Sequence, residues 1–417
     1  MSSKVNINDR FYYGWVIVAS LFMICVILYG IHFSFGLFFK SIESEFNLTR
    51  TATSAVVSAN FILAGISSVW AGWASDKYGP RIVFFFMGLF TGTSLLLTSQ
   101  TNSFWQLFIT YSLLLSMGTG AIYVMLASTV SRWFNRKRGL ALGLAGAGTG
   151  IGTMIMAPFA TYVIITLGWR MSYLVVGLIA WIVVIPLAWL FKREPREIGG
   201  LPNVVNSNSR GIETEENGIG AATSSLMGIA KRRSFWLLIF VWLFFGSYIF
   251  LIFTHLVPHI TDIGFSAGKA AQVVSLIGLG AIIGRVLMGI VADKIGRKKT
   301  TIITSLLSAS VMLWLIWSQE LWMLLSFGLA FGFAYGGFSS SSGALVSDIF
   351  GLHKIGAIFG VLEFGFGIGA AIGSAMGGII FDVSNNYTIS FLIGAVTMLI
   401  AAFLIALTRR EVIDKRV

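Results

Sequence analysis

Long apolar runs alternate with short polar runs along almost the whole chain. Each apolar run has about 17 residues or more, which a helix needs to cross a bilayer roughly 30 Å thick. The runs lie near residues 12–39, 51–74, 81–99, 103–131, 138–166, 171–191, 234–261, 267–292, 301–317, 321–347, 355–381 and 388–408. They predict an all-α membrane protein with twelve transmembrane helices, here named spans 1 to 12 in chain order.

The only long polar stretch separates span 6 from span 7. It contains two prolines, a run rich in Ser and Asn, and an acidic run at 213–216. This composition is typical of a flexible linker. We therefore expect a six-helix bundle at 1–191, a cytoplasmic linker loop at 192–233 and a second six-helix bundle at 234–417.

Composition narrows the class of protein further. Hydrophobic residues make up 56% of the chain and charged residues only 11%, whereas soluble domains carry about a quarter charged residues. The single cysteine, Cys25, excludes a disulfide framework, and the four histidines lack the spacing of a zinc-binding helix. The net charge of +12 comes from residues between apolar runs and does not form a nucleic-acid patch. We expect neither an enzyme, nor a metal or cofactor site, nor a nucleic-acid partner.

The basic residues also predict the orientation in the membrane. If the N-terminus is cytoplasmic, 24 of the 29 lysines and arginines fall in cytoplasmic loops and tails. Four fall on the outer side, namely Lys40, Arg50, Arg170 and Lys269, and Arg285 lies within a span. The excess of cations on one side places both termini and the linker in the cytoplasm.

An internal repeat relates the two halves of the chain. The loop motif Gly72, Asp76, Gly79 and Arg81 recurs 217 residues later as Gly289, Asp293, Gly296 and Lys298. In each copy we expect the first glycine to allow close helix packing, the second to make a tight turn and the cation to anchor the cytoplasmic face. Stripes of glycine at intervals of four residues, as at 146–152 and 365–377, permit close helix packing. They would either let one half rock on the other or serve static packing alone.

The doubled motif resembles the signature of the major facilitator superfamily, and the resemblance extends over the whole chain. It implies two pseudo-symmetric six-helix halves with a binding site between them near the midplane. Residues 133–148 (WFNRKRGLALGLAGAG) further resemble the fifth-span motif of the monocarboxylate transporter family, with Trp133 where tyrosine is usual. Tyr13-Gly14-Trp15 keeps part of the first-span motif of that family. The resemblance implies a carrier of small monocarboxylates, and the short tails favour a bacterial inner membrane.

Arg285 is the strongest candidate for the substrate site. It lies eight residues before its helix is expected to end, about 12 Å inside the bilayer. A charge at this depth costs at least about 2.5–3.5 kcal/mol, so it is rare unless it faces a cavity. A guanidinium offers a planar fork that fits a carboxylate. The alternative is a structural ion pair with Glu363 in span 11, but monocarboxylate transporters keep an arginine at this position.

Two groups are candidates for carrying a coupled proton, Glu363 and His32. The family's aspartate one turn before the arginine is Ala281 here, and its first-span lysine is Phe33. We hypothesise that the anion displaces Glu363 from Arg285, so that Glu363 takes up a proton. The alternative for His32 is a packed, hydrogen-bonded helix residue.

Other residues complete the predicted site. The resemblance assigns Tyr335 and Ser339 of span 10 to a substrate-binding face, and Phe33 lies beside His32 in span 1. Tyr123 of span 4 corresponds by the repeat to span 10. Asn60 of span 2 is a weaker candidate, because it could instead hydrogen-bond between helices. His255 and His259 in span 7 are interpreted as an interfacial cap in preference to a gate.

Together these observations favour a proton-coupled symporter of small monocarboxylates such as lactate or pyruvate, acting as a monomer. Within the same fold the alternative is an organic-anion antiporter, although a dianion would require a second cation in the membrane. A membrane sensor that binds the anion without moving it is the alternative from another class.

Overall fold

The computed structural model describes residues 13–134, 138–192, 232–350 and 355–408, and every regular element in these ranges is helical. Eleven helical stretches there are long and apolar enough to cross a membrane. One of them, Leu140–Ala188, has 49 residues and would be about 70 Å long if straight, which is enough for two crossings. Its backbone leaves the helical region at Gly168 (φ 85°, ψ 162°), so it forms spans 5 and 6. The predicted all-α architecture with twelve spans is confirmed.

The helices closely follow the predicted apolar runs. They are Gly14–His32 and Phe35–Glu45 (span 1), Arg50–Tyr78 (span 2), Pro80–Thr98 (span 3), Phe104–Leu107, Phe108–Leu114, Leu115–Thr119 and Ile122–Trp133 (span 4), Arg138–Ala188 (spans 5 and 6), Arg233–Asp262 (span 7), Ala267–Ile295 (span 8), Arg297–Ile316 (span 9), Leu321–Phe350 (span 10), Ile355–Ser384 (span 11) and Thr388–Leu407 (span 12). The predicted linker at 192–233 lies almost entirely outside the described residues, so the domain boundaries remain a prediction.

The backbone repeats at the same 217-residue offset as the sequence. Six residues with positive φ form three pairs, Asn47 with Gly264, Gly79 with Gly296, and Gly168 with Asn385. The helix caps match as well, since Thr49 and Ser266 each accept a hydrogen bond from the backbone N–H three residues later. The two halves, spans 1–6 and spans 7–12, are therefore built alike.

The loop motif has the predicted turns, and its last cation contacts the end of another span. Gly79 and Gly296 adopt φ of 88° and 96°, which favour glycine, and each turn joins two spans. The Arg81 guanidinium lies 3.9 Å from the centre of the Trp189 ring, and Lys298 donates to the carbonyls of Ala406 and Thr408. Both cations thus hold the end of the last span in their own half.

Other parts of this motif are less informative. A Cβ at Gly72 would meet only Val124, at 3.7 Å, and one at Gly289 would meet nothing within 4 Å, so close packing is not what either glycine provides. Asp293 is exposed, and the side chain of Asp76 lies outside the described residues.

Two spans are less regular than their apolar sequence suggests. Span 1 breaks at Phe33 and Ser34, where the Ser34 hydroxyl donates to the carbonyl of Ile31. Span 4 contains a π-helix at Phe108–Leu114, an element that is rare and often lies near functional sites. Neither break contains a proline or glycine that would have predicted it.

The glycine stripes pack mainly within the halves, which corrects their predicted role. A Cβ at Gly369 or Gly373 would collide with the backbone of span 7 in the same half, and one at Gly152 with span 1. Gly150 is the exception, because a Cβ there would lie 2.9 Å from the carbonyl oxygen of Gly278 in the other half. The boundary between the halves is formed chiefly by span 2 against span 11 and span 5 against span 8.

The two ends of the bundle are named here by the chain segments that they contain. The terminal face is the end at which the described chain begins and stops, near Tyr13 and Thr408. The distal face is the opposite end, which contains the turns around Asn47, Gly264 and Asn385.

Candidate functional site

Arg285 extends from span 8 across the boundary to span 5 of the first half. Its Nη1 donates to the carbonyl oxygen of Gly146 at 2.6 Å and to the hydroxyl of Thr149. Its Nη2 lies 3.4 Å from the hydroxyl of Tyr335 in span 10. No carboxylate among the described residues is within ion-pair distance of this guanidinium. The part-buried cation is therefore held by neutral groups and keeps its full charge available for an anion.

Tyr335 lies beside Arg285 and begins an aromatic layer. The guanidinium carbon is 5.7 Å from the centre of the Tyr335 ring. The ring contacts Phe33 edge-on at 6.5 Å and stacks with Phe245 at 6.0 Å. Phe33 in turn stacks on Phe253 of the other half, with the ring centres 4.3 Å apart. The predicted pair Tyr335 and Phe33 thus meets at the boundary between the halves.

The same layer contains His32. Its ring makes edge contacts with Tyr29, Phe61 and Phe250, at 6.3, 5.0 and 5.5 Å between centres. Phe61 and Phe250 lie 3.9 Å apart across the boundary. On span 7, Phe250 and Phe253 lie in the half of the helix nearer its distal end, whereas Arg285 lies in the terminal half of span 8. The layer therefore covers Arg285 on its distal side.

Ser339 and Tyr123 lie on the terminal side of this layer. Ser339 follows Tyr335 by one helical turn and is part-buried. Tyr123 makes an edge contact with Phe359 of span 11, with the ring centres 5.9 Å apart. Span 10 therefore presents Tyr335 and Ser339 on one face, while Tyr123 joins spans 4 and 11 nearer the terminal face.

Glu363 does not pair with Arg285, which corrects the hypothesis that the anion displaces it. The polar neighbour of Glu363 is the side chain of Trp242 in span 7. Both charged groups lie within electrostatic range of Tyr29, so they belong to the same region without touching. In this conformation an anion that approached Arg285 would have no described carboxylate to displace.

Asn60 has the structural role that was its alternative interpretation. Its buried Nδ2 donates to the carbonyl oxygens of Tyr111 and Ser112, at 3.1 and 3.3 Å. These carbonyls belong to the π-helix of span 4, whose wider turn leaves backbone acceptors to be satisfied by other groups. Because both donors of the amide are used there, we exclude Asn60 from the site.

The distal face holds a second inter-half cluster, here called the distal seal, formed by Lys40, Glu43, Arg50, Asp262, Asp382 and Tyr387. The Arg50 side chain is only 7% exposed and pairs with Asp262 at 2.7 Å and Glu43 at 3.3 Å. Its guanidinium carbon also lies 3.5 Å from the centre of the Phe381 ring. Lys40 forms a further ion pair with Asp262. The seal therefore connects span 1 and span 2 to the second half.

Asp382 strengthens the seal through the backbone. Its carboxylate accepts from the backbone N–H groups of Arg50 and Thr51, at 3.1 and 2.9 Å. These are among the unpaired donors at the first turn of span 2, where the helix dipole also favours an anion.

Burial raises the pKa of the Tyr387 phenol above its usual range, although Arg50 acts in the opposite direction. The Tyr387 hydroxyl therefore stays uncharged.

His255 is buried directly beneath the seal, so the predicted interfacial cap is wrong for this residue. Its Nε2 donates to the carbonyl oxygen of Ser374 at 2.7 Å, and its Nδ1 lies 3.2 Å from the hydroxyl of Tyr387. Because a carbonyl can only accept, Nε2 carries a proton. The Tyr387 hydroxyl, which accepts from Arg50, has its own proton to donate to Nδ1. Ser54 of the first half approaches the same Nε2 at 3.4 Å. This position inside the boundary fits the gate interpretation.

The polar contacts between the halves are unevenly distributed among the described residues. Those that join two described residues all lie at Arg285 or on its distal side, including the bond from Ser275 to the carbonyl of Met154. On the terminal side, a Cβ at Gly143 or Gly360 would meet nothing within 4 Å. The polar contacts that join described residues of the two halves are thus concentrated at Arg285 and on the distal side of the site.

Sequence reasoning did not identify Thr149, Arg50, Asp262 or Asp382. Thr149 lies within the fifth-span motif region among glycines, but a hydroxyl in an apolar helix usually bonds to its own backbone. Arg50 was counted as an outer loop cation, because an arginine at a helix end is normally solvated. The one available indication was the number of charges at this end, namely the four outer-side cations and five acidic residues, Glu43, Glu45, Asp262, Glu320 and Asp382.

Comparisons with known proteins agree with this architecture. The sequence profile described as the Major Facilitator Superfamily matches residues 21–291 and 256–416. Monocarboxylate transporter 13 from Rattus norvegicus is 25% identical over 93% of this chain and 87% of its own length. Monocarboxylate transporter 7 from Homo sapiens is 23% identical over 95% and 86%. These relatives are transporters, in agreement with the expectation that the chain is not an enzyme.

Solved structures show the same fold. The D-xylose-proton symporter superposes with a TM-score of 0.72 at 16% identity, covering 95% of this chain and 97% of the other. A bacterial homologue of the human lysosomal transporter Spinster, in an inward-facing and occupied conformation, gives 0.71 at 14% identity, covering 96% and 97%.

Proposed function

The chain belongs to the Major Facilitator Superfamily, and from this premise we propose that it carries small monocarboxylates together with protons by alternating access. Arg285 binds the carboxylate, while Tyr335 and Ser339 offer hydroxyl groups to the rest of the substrate. Lactate, pyruvate and their relatives are the substrates that the site and the names of the relatives support.

The neutral surroundings of Arg285 are the observation that carries the proposal. A charge in the membrane interior normally finds a partner of opposite charge, because an unpaired buried ion costs several kcal/mol. Here a carbonyl and two hydroxyls surround the guanidinium. One monoanion neutralises it, whereas a dianion would need a second cation, and the described membrane interior offers none near Arg285.

Glu363 and His32 are the proposed proton carriers. Both are near the midplane, Glu363 beside Trp242 and His32 among aromatic rings. Since no described carboxylate pairs with Arg285, the substrate does not have to displace either proton carrier from the guanidinium. Coupling instead requires that one of these groups binds a proton in the same conformation that binds the anion.

We further propose that the terminal face is cytoplasmic and that the protein acts as a monomer in a bacterial inner membrane. The excess of lysine and arginine at that end supports the orientation. The distal seal then closes the outer entrance, and Arg285 is reached from the cytoplasm. Rocking of the halves would break the seal and open the site to the outside.

An organic-anion antiporter of the same fold is the second candidate. It would exchange one anion for another and would have no need of a proton carrier. A sensor that binds without transport would show no accumulation of substrate at all.

The test is uptake of labelled lactate and pyruvate into reconstituted vesicles, with and without an inward proton gradient. The wild type should accumulate substrate only with the gradient, and Arg285→Gln should be inactive under both conditions. Arg170→Gln is the matched control, because Arg170 pairs with Glu45 within the first half and lies far from the site. Uptake by the wild type that ignores the gradient would contradict symport.

Two further variants separate the proton carriers. Loss of proton dependence in Glu363→Gln or in His32→Gln, with substrate exchange retained, identifies the carrier. If both variants keep gradient-driven uptake, neither residue is the carrier, and a proton delivered by the substrate acid becomes the better explanation.

A further inference from the structure

We propose that Thr149 is a positioning residue that fixes the Arg285 guanidinium on span 5, so that only its opposite edge is presented to a substrate carboxylate. The inference rests on the proposed function, because it assigns a role relative to the carboxylate that Arg285 binds. It adds a residue from the first half to a site whose cation comes from the second half.

The hydrogen bonds around Thr149 form a closed set. Its hydroxyl donates to the carbonyl oxygen of Gly146 at 2.8 Å, so its lone pairs are free to accept from Arg285. The same carbonyl accepts from Nη1 of Arg285 at 2.6 Å. Nη1 has two N–H groups, and both are therefore used. The Thr149 side chain is buried, so water does not compete strongly for these bonds.

The other edge of the guanidinium remains available. Nη2 has only the long contact of 3.4 Å with Tyr335, and no hydrogen bond of Nε joins it to another described residue. The Nε and Nη2 groups form the parallel pair of donors that a carboxylate accepts in a bidentate arrangement. With Nη1 fixed on span 5, a carboxylate meets a preorganised fork and does not have to order a mobile side chain.

The position of Thr149 along the boundary indicates in which conformation its hydrogen bond with Arg285 forms. On the distal side of Arg285, spans 5 and 8 are in close contact, with Ser275 donating to the carbonyl of Met154 and Gly150 against Gly278. On the terminal side, a Cβ at Gly146 or Gly289 would meet nothing within 4 Å. The hydrogen bonds of Arg285 to Gly146 and Thr149 are thus the last described polar contacts before the two spans diverge, and they belong to the conformation that is closed at the distal face.

The inference predicts that the Thr149 hydroxyl affects substrate binding more from the terminal face than from the distal face. In this conformation the carboxylate reaches Arg285 from the terminal face. Loss of the Thr149 hydroxyl would leave Nη1 with only the Gly146 carbonyl as its partner on span 5, so the orientation of the guanidinium would be less well fixed. When the halves rock to open the distal face, the spacing of spans 5 and 8 must change. The hydroxyl then has less influence on binding from the distal face.

The experiment compares KM at the two faces with labelled lactate and pyruvate as probes. Uptake into intact cells reports one face and uptake into inside-out vesicles reports the other. Thr149→Val keeps the shape and removes the acceptor, so KM at the terminal face should rise about tenfold, as expected for one hydrogen bond to a charged group. KM at the distal face should change less than twofold, and Vmax should be retained. Thr149→Ser keeps the hydroxyl and should restore the wild-type KM.

Thr153→Val is the matched control, because the Thr153 hydroxyl, one turn along the same helix, donates to the carbonyl of Thr149 and to no other described residue. It should leave KM at both faces unchanged. If Thr149→Val does not accumulate in the membrane, Thr149→Cys replaces it, since a thiol has similar volume and is a weak hydrogen-bonding group.

Three results would overturn the inference. Equal changes of KM at both faces would show a general packing role. Wild-type KM in Thr149→Val, with Arg285→Gln inactive, would overturn the positioning role and leave the carboxylate site standing. Undiminished uptake in Arg285→Gln would overturn the carboxylate site and the positioning role together.

Discussion

Arg50 and Arg285 both extend a guanidinium across the boundary between the halves, yet they have opposite surroundings. Arg50 lies between the carboxylates of Asp262 and Glu43 and on the ring of Phe381. Arg285 has one carbonyl and two hydroxyls and no described carboxylate. A paired arginine joins the two halves, while an arginine with neutral partners retains the capacity to bind an anion. The contrast separates a structural closure from the proposed binding site.

Removing the charge of Arg285 should have the largest effect. Arg285→Gln leaves the neutral partners in place and removes the group that binds the carboxylate, so uptake should fall at least about 100-fold, as truncation of a buried charge partner implies. Arg285→Lys should be intermediate, because an ammonium cannot form the bidentate pair. Initial rates of uptake in reconstituted vesicles measure this. Wild-type rates in Arg285→Gln would contradict the comparison.

Breaking the seal at Asp262 should have the next largest effect. Asp262→Asn leaves Arg50 and Lys40 without their shared carboxylate, which should favour conformations open at the distal face. The measure is labelling of a cysteine at Ser374→Cys, which is buried beneath the seal, by an impermeant thiol reagent in a Cys25→Ser background. We expect the labelling rate from the distal face to rise about tenfold.

Glu45→Gln is the control for this experiment. Glu45 forms an ion pair with Arg170 near the same face, but both residues belong to the first half. Its loss should leave the labelling rate unchanged. Equal labelling of the Asp262→Asn and Glu45→Gln variants would show that the seal does not hold the halves together.

Two glycines on span 11 test the difference between the distal and terminal ends of the boundary through packing alone, without a change of charge. A Cβ at Gly378 would lie 2.6 Å from both the carbonyl oxygen of Arg50 and the hydroxyl of Ser54, whereas one at Gly360 would meet nothing within 4 Å. Gly378→Ala should therefore push spans 2 and 11 apart at a cost of about 1–3 kcal/mol to the closed conformation. Gly360→Ala should be neutral. The same cysteine labelling reports both, and equal rates would contradict the asymmetry of the boundary.

The smallest effect is expected for Ser58→Ala. The Ser58 hydroxyl donates to the carbonyl of Ala371 at 2.8 Å, which is a single neutral hydrogen bond between the halves. Its loss should cost about 0.5–1.5 kcal/mol and raise the labelling rate a few-fold. An effect as large as that of Asp262→Asn would mean that neutral contacts carry the closure as much as the ion pairs do.

The sequence by itself determined the number of spans, the repeat and the position of Arg285. Hydropathy is sufficient for the spans, because an apolar helix in a bilayer has no alternative structure that satisfies its backbone. The offset of 217 residues predicted the paired turns at Gly79 and Gly296, since a positive φ at a fixed position favours glycine. Arg285 was identified because a charge at that depth is costly.

Only the tertiary structure decided which groups meet. Thr149 and Arg285 are 136 residues apart, and Arg50 and Tyr387 are 337 apart, so no local pattern relates them. The break in span 1 and the π-helix of span 4 are likewise set by packing against other helices. Glycine stripes indicate that a neighbour is close but not which one, and span 11 used its stripe within its own half. A side chain's depth can be read along one helix, but its partners depend on how twelve helices are arranged around it.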